Sequence, residues 1–240
     1  MTRPVEVVRE VHARVWAAVG HLWEPNAVFG HGADHAYRAY MTGQRLAAAQ
    51  SADPLPVGAA CYLMDAGLDL RSGRRDHIAR GLELAHQVCA TIPELREVRE
   101  IVFAAVEHHE ADNALPSGQP LEVLIVRDSD TLDRLGLTGA RMTLTYGTWI
   151  GRPLNHPDDP FCEHREPQLN GYSLDYVRHL DSLVDAVSTP EGRELAERKK
   201  SEQSGLRILL RSHWERTGTF PDYAAAFQII ERELRDTVDR

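Results

Sequence analysis

Cysteine is scarce in this 240-residue chain, and the three present, Cys61, Cys89 and Cys162, form no CxxC pair. An odd number at irregular spacing argues against a disulfide framework and against a thiolate metal cluster. Cys61 and Cys89 stand in apolar helical contexts as small core residues, which fits a reducing, cytoplasmic location. Long hydrophobic runs are absent too: the longest nearly apolar stretch, Val57 to Met64, is far shorter than a membrane span. The opening Met1-Thr2-Arg3-Pro4-Val5-Glu6 lacks the apolar region of a secretory signal, so no membrane partner is expected. Concentrated positive charge is also missing. Lys and Arg number 27, dispersed among 36 Asp and Glu, for a net charge of −9. Neutralising a phosphate backbone takes a basic face, so nucleic acid is not expected as a partner. A small anionic substrate remains compatible, because a local Arg or metal overrides the global field.

No alternating apolar and polar run is long enough for a sheet, and there is no internal repeat. Apolar residues recur instead at helical spacing. Val98, Ile101, Val102, Ala105 and Val106 make one stripe, and Leu174, Val177, Leu180, Val184 and Val187 make another. Breaks fall at Glu24-Pro25-Asn26, Asp53-Pro54, Ser72-Gly73, Pro116-Ser117-Gly118 and Gly151-Arg152-Pro153. The pattern predicts an all-α chain of roughly eight to ten helices. It reads as a single domain over 1–240, with C-terminal helices over 172–240. One irregular segment, Gly147 to Gly171, carries Pro153, Pro157, Pro160 and Pro167. Connections of that length serve as lids, binding loops or plain surface excursions. Phe220 to Arg240 reads as an amphipathic helix ending in charge.

Histidine is plentiful, with 12 in the chain. A lone helical His is usually solvent-facing or a satisfied core donor, and His12, His21, His86, His179 and His213 read that way. The adjacent pair His108-His109, before Glu110 at a helix end, is more suggestive. With His35, Asp65, His77 and Asp130 it makes a nitrogen and oxygen donor set. Such donors suit a divalent transition metal (Mn, Fe, Co, Ni or Zn) rather than a soft, thiolate-type site.

The order of these residues carries more. Asp34-His35-Ala36-Tyr37-Arg38 opens a helix, and Ala59-Ala60-Cys61-Tyr62-Leu63-Met64-Asp65-Ala66-Gly67 is a buried-looking helix ending in an acid. His77-Ile78-Ala79-Arg80-Gly81 starts the next, Glu107-His108-His109-Glu110 follows, and Arg127-Asp128-Ser129-Asp130-Thr131-Leu132-Asp133 closes the series. This succession resembles the HD-domain superfamily of metal-dependent phosphohydrolases, in which a His, a His-Asp doublet, optional further His and a distal Asp follow in that order. The resemblance covers roughly residues 30 to 215, with the metal-site core over about 30–135. Two branches are echoed. Arg127 to Gly136, Leu144-Thr145-Tyr146-Gly147, Gly151-Arg152-Pro153-Leu154 and Thr189 to Arg198 are similar to small bacterial HD nucleotide pyrophosphohydrolases. His77 to Gly81 and His108-His109-Glu110 resemble members with two or more metals, such as HD-GYP phosphodiesterases and HD-type di-iron oxygenases. No GYP tripeptide is present.

Carried over by position, the resemblance implies His35, Asp65 and Asp130 as ligands of a first ion. Asp130 is preferred to Asp128 because it stands two residues before Leu132. Asp65 would bridge to a second ion held by His77, His108 and, as an option, His109, so one or two ions are expected. Met64 stands where the family has the doublet His, and a thioether is a poor ligand for these metals. His31, four residues before His35, would share its helix face if that helix starts early. The second site alone, or a metal-free scaffold, are the other outcomes. The implied activity is phosphohydrolysis of a nucleotide or other small phosphate ester by a metal-activated water. Arg38 and Arg152 are the candidate phosphate contacts, with an ion pair to a ligand carboxylate as the plainer role for Arg38. Asp65 is read as catalytic through the metal, and His109 or Glu110 as the group that moves a proton to the leaving oxygen. A di-iron oxygenase and a non-catalytic scaffold are the alternatives, and a homo-oligomer is compatible with either.

Overall fold

The run Leu55 to Leu63 has no polar face, and a helix of that kind is stable only when surrounded. The computed structural model, which describes residues 3–71 and 76–220, places it so. Among the described residues there are nine α-helices and no strand. They are α1 (Val5–Val19), α2 (Ala33–Gln50), α3 (Pro54–Leu63), α4 (His77–Thr91), α5 (Arg99–His108), α6 (Leu121–Asp133), α7 (Gly136–Trp149), α8 (Ser173–His179) and α9 (Pro190–Thr217). The all-α expectation and the expected helix number both hold.

α3 starts at the Asp53-Pro54 break. Pro54 is its first residue, where a missing N–H does no harm, and Asp53 accepts a bond from the Leu55 amide. Every residue from Leu55 to Leu63 is buried, with α1, α2, α5 and α6 packed around them. α2 comes close to α3 and α6 at Gly43. A Cβ there would sit 3.0 Å from Val57, 3.1 Å from Cys61 and 3.2 Å from Ser129. α6 is buried continuously from Ile125 to Asp133, so its four charged side chains lie inside the protein and need partners.

A second apolar cluster joins Ala140 and Leu144 of α7, Leu174 and Val177 of α8, and Leu206 and Leu210 of α9. α9 also packs on α6. Asp128 fastens the two: its oxygens accept the amides of Ser188 and Thr189, at 2.8 and 2.7 Å, where α9 begins. A carboxylate at a helix N-terminus satisfies amides that no helical carbonyl can reach.

Three expectations need correction. The stripe from Leu174 to Val187 is not one helix but α8 followed by a 3-10 segment, Leu180–Ala186. All five stripe residues are nevertheless buried, because periodicity reports a face rather than a hydrogen-bond type. Glu24-Pro25-Asn26 lies inside another 3-10 segment, Gly20–Phe29, rather than at a break between helices. The irregular segment begins after Trp149, and it is anchored: Gln168 donates its amide to the buried Asp175 at 2.8 Å, and Arg165 Nη2 donates to the same carboxylate at 2.7 Å. The Ser72-Gly73 break, and the helix read over Phe220 to Arg240 past its first residue, lie outside the described residues. No helix among the described residues is long and apolar enough to cross a membrane.

Candidate metal centre

Five helix termini or helix interiors bring distant residues together. His35 comes from the first turn of α2, Asp65 from just past α3, His77 from the first position of α4, His109 from the residue after α5, and Asp130 from α6. Asp65 is at the middle. Its Oδ2 lies 3.5 Å from His35 Nε2 and 3.8 Å from His31 Nε2. Its Oδ1 lies 3.3 Å from His109 Nε2 and 3.7 Å from His77 Nε2. Asp130 Oδ1 is 3.5 Å from His35 Nε2 on the side of the first pair. Two groups able to hold a metal ion follow, His31 with His35 and Asp65, and Asp65 with His77 and His109.

The donor chemistry fits a cation. His35 Nδ1 donates to Asp133 Oδ2 at 2.7 Å, and His109 Nδ1 donates to the Val106 carbonyl at 2.8 Å. Both bonds fix the tautomer that leaves a lone pair on Nε2, the nitrogen facing Asp65. His35 Nε2 is buried without a hydrogen bond, an arrangement that is unfavourable unless a ligand completes it. Burial alone would keep His35 neutral, yet Asp133, Asp65 and Asp130 push it up to about 10. Burial likewise opposes a charge on His109, and Asp65 raises it to about 9. Asp65 is held well below the usual carboxylate range, since the facing His109 and His35 imidazoles outweigh its burial. Asp130 is raised, first by burial and then by the facing Asp65. Buried carboxylates here draw positive charge to the site.

Other residues singled out from sequence take different places. His108 is the last residue of α5, with Nε2 4.0 Å from Glu107, and the structure does not bring it to the cluster. His109 is there instead, buried with its Nε2 3.3 Å from Asp65 Oδ1. Arg38 faces Asp133: Nε and Nη2 donate to its two oxygens at 2.7 and 2.9 Å, Nη1 to Asp34 at 2.8 Å and Nη2 to the Gly30 carbonyl at 3.3 Å. It orders the carboxylate that orients His35. Asp128 is turned to α9, away from His35. Glu110 Oε1 lies 3.4 Å from His77 Nε2. Met64 is fully buried in the main apolar cluster. His31 precedes α2, which begins at Ala33, so it reaches the cluster from a turn and not from an early helix start.

A cavity of about 340 Å³ adjoins the cluster, with His31 in its wall. Phe29, Met142 and Tyr146 form an apolar side, and Arg134 and Arg152 supply charge. The Arg152 guanidinium stands 5.4 Å over the Tyr176 ring, and its buried Nε has no hydrogen bond. Asp133 and Arg134 were not singled out from sequence. A signal existed, since they follow Asp130 by three and four positions and so share its helix face.

No family model matches the sequence, and no curated protein matches it. Solved structures do. The Bacillus subtilis YpgQ protein in complex with ADP superimposes with a TM-score of 0.63 at 20% identity, over 85% of this chain and 96% of that one. An HD-superfamily hydrolase from Bacillus thuringiensis gives 0.58 at 19% identity, over 88% and 97% of the respective chains. A predicted HD-superfamily hydrolase from an uncultured Thermotogales bacterium gives 0.55 at 18%, over 86% and 92%. The helical frame that carries the His and Asp residues from His35 to Asp130 is thus the fold shared with solved structures that include two described as HD-superfamily hydrolases.

Proposed function

We propose that this chain is a metal-dependent phosphohydrolase acting on a nucleotide or another small phosphate ester. The observation that carries the reading is the meeting of a buried His and Asp cluster with a cavity bearing two guanidinium groups. The cavity volume is within the range of small-molecule sites. Its apolar side, Phe29 and Tyr146, suits a flat base, and Arg152 and Arg134 suit phosphate oxygens. The complex of YpgQ with ADP supports the nucleotide class.

His35, Asp65, Asp130, His77 and His109 would hold the metal. A divalent ion there would polarise a phosphoryl oxygen and lower the pKa of a water. Asp133 and Arg38 keep His35 in the orientation and tautomer that binding needs. Arg152, with its free Nε, would orient the phosphate, and the aromatic wall would exclude bulk water from it. Glu110, at the edge of the cluster, is assigned to proton movement in place of His109.

The test is release of phosphate or pyrophosphate from a panel of nucleotides and simple phosphate esters by metal-loaded protein. Asp65→Ala is expected to abolish both bound metal and turnover, and Arg152→Ala to raise KM with metal content unchanged. Full activity of a metal-free Asp65→Ala protein would end this reading. The His77 and His109 group also suits an oxidative, two-iron reaction, which predicts about two irons per chain after anaerobic purification and no phosphate release.

A further inference from the structure

We propose that His31 supplies the imidazole that Met64 withholds, so that Asp65 bridges two metal ions, each faced by its own pair of histidines. This rests on the metal-dependent reading above and specifies how the chain achieves it.

The division of the cluster around Asp65 is the first observation. His31 and His35 address Oδ2, at 3.8 and 3.5 Å. His77 and His109 address Oδ1, at 3.7 and 3.3 Å. One carboxylate therefore turns a separate oxygen to each of two imidazole pairs. These separations mostly exceed ordinary hydrogen bonds. They match the spacing of neighbouring ligands on one ion, which is about 3.4 Å for tetrahedral coordination with metal–ligand distances near 2.1 Å. Asp130, 3.5 Å from His35 Nε2, joins the Oδ2 side. The mutually close donors of the first group are His31, His35 and Asp65, with Asp130 beside His35, and His31 brings a second imidazole to it without residue 64.

The second observation is how His31 is held. The 3-10 segment ends at Phe29, and Gly30 turns the chain with φ +74. Gly32 lies so close to Ala27 that a Cβ on it would approach the Ala27 Cα to 2.6 Å. The His31 amide donates to the Asn26 carbonyl at 3.3 Å. Asn26 itself is buried, donating to the Leu68 carbonyl at 2.8 Å and accepting the Leu70 amide at 2.9 Å. The turn bearing His31 is thus tied to the chain just beyond Asp65. The His31 ring lies parallel to His35, with centroids 4.5 Å apart and planes 19° apart, so both rings present Nε2 to the same oxygen.

The competing role for His31 is contact with substrate, because it also lines the cavity. Cobalt separates the two. Metal-free protein would be titrated with Co(II), with stoichiometry read by elemental analysis and coordination read from the visible absorption. The expected result is two Co(II) per chain, with His31→Ala weakening one of them on the order of 100-fold and leaving the other. His31→Cys should bind both ions and add a thiolate-to-cobalt charge-transfer band, a signature that loss of folding cannot produce. Two ions with unchanged affinity in His31→Ala, and no new band in His31→Cys, overturn the inference and leave the metal-dependent reading in place. A single Co(II) in the parent protein also overturns it. No bound Co(II) at all overturns both.

Discussion

At the scale of single residues, the cluster works through chains of contact rather than through ligands alone. Arg38 grips both oxygens of Asp133, and Asp133 takes the Nδ1 proton of His35. Arg38 is therefore a positioning residue for His35. Arg38→Ala is expected to lower metal affinity about 10- to 100-fold, as measured by competition with a coloured chelator. Arg38→Lys should recover only part of this, because an ammonium cannot make two parallel bonds to one carboxylate. A rise in KM with metal affinity unchanged would return Arg38 to the substrate. His35, Asp65, His77 and Asp130 were legible because their motifs follow one another in an order that resembles the HD-domain superfamily. The same resemblance favoured His108 as the ligand with His109 as an option, whereas the structure brings His109 to the cluster. Adjacent residues at a helix terminus point about 100° apart, and only the register of α5 turns the second inward, where Val106 fixes its tautomer. His31 was harder still, since its placement depends on a packed turn and not on helix periodicity.

At the scale of elements, burial on all sides was easy to read in α3, and the order of helices followed from proline and glycine breaks. What stayed hidden was how helices are pinned to each other by polar groups. His12 of α1 is one such pin. It is buried, with Nε2 donating to the Leu55 carbonyl of α3 at 3.0 Å and Nδ1 3.2 Å from the Tyr40 hydroxyl of α2. Burial holds its pKa below the ordinary 6.5, so the folded protein keeps this ring neutral. The unfolded chain takes up a proton as the pH falls through 6.5, and the folded chain does so only at lower pH. The unfolded state then binds more protons, and stability falls as the solution is acidified. The stability advantage of the parent protein over His12→Phe should shrink below that pH, by at most about 1.4 kcal/mol per pH unit. Urea denaturation of both proteins across the range measures it, and a gap independent of pH would show that His12 titrates alike in both states.

At the scale of the whole molecule, the cluster sits where α2, α3, α4, α5 and α6 converge, while the second apolar cluster joins α7, α8 and α9 to that frame. Metal bound at this junction couples five helices that are distant in sequence, and none of its ligands would be assembled in the unfolded chain. Mass action then requires stabilisation. At a free metal concentration of about 100 times Kd, one site contributes about 2.7 kcal/mol. For a chain of this size that corresponds to a rise in Tm of roughly 5–10 °C. The expected experiment compares thermal unfolding of chelated protein with protein holding Mn, Co, Ni or Zn, each tested in turn. Asp65→Ala should lose the shift, because both imidazole pairs face that one carboxylate. His12→Phe should keep it, since His12 joins α1 to α2 and α3 away from the ligands. An identical Tm with and without every metal would mean that the residues converge without binding an ion. The helical fold would then persist here as a scaffold, and its cavity with Arg134 and Arg152 would be a binding site for an anion rather than a place of hydrolysis.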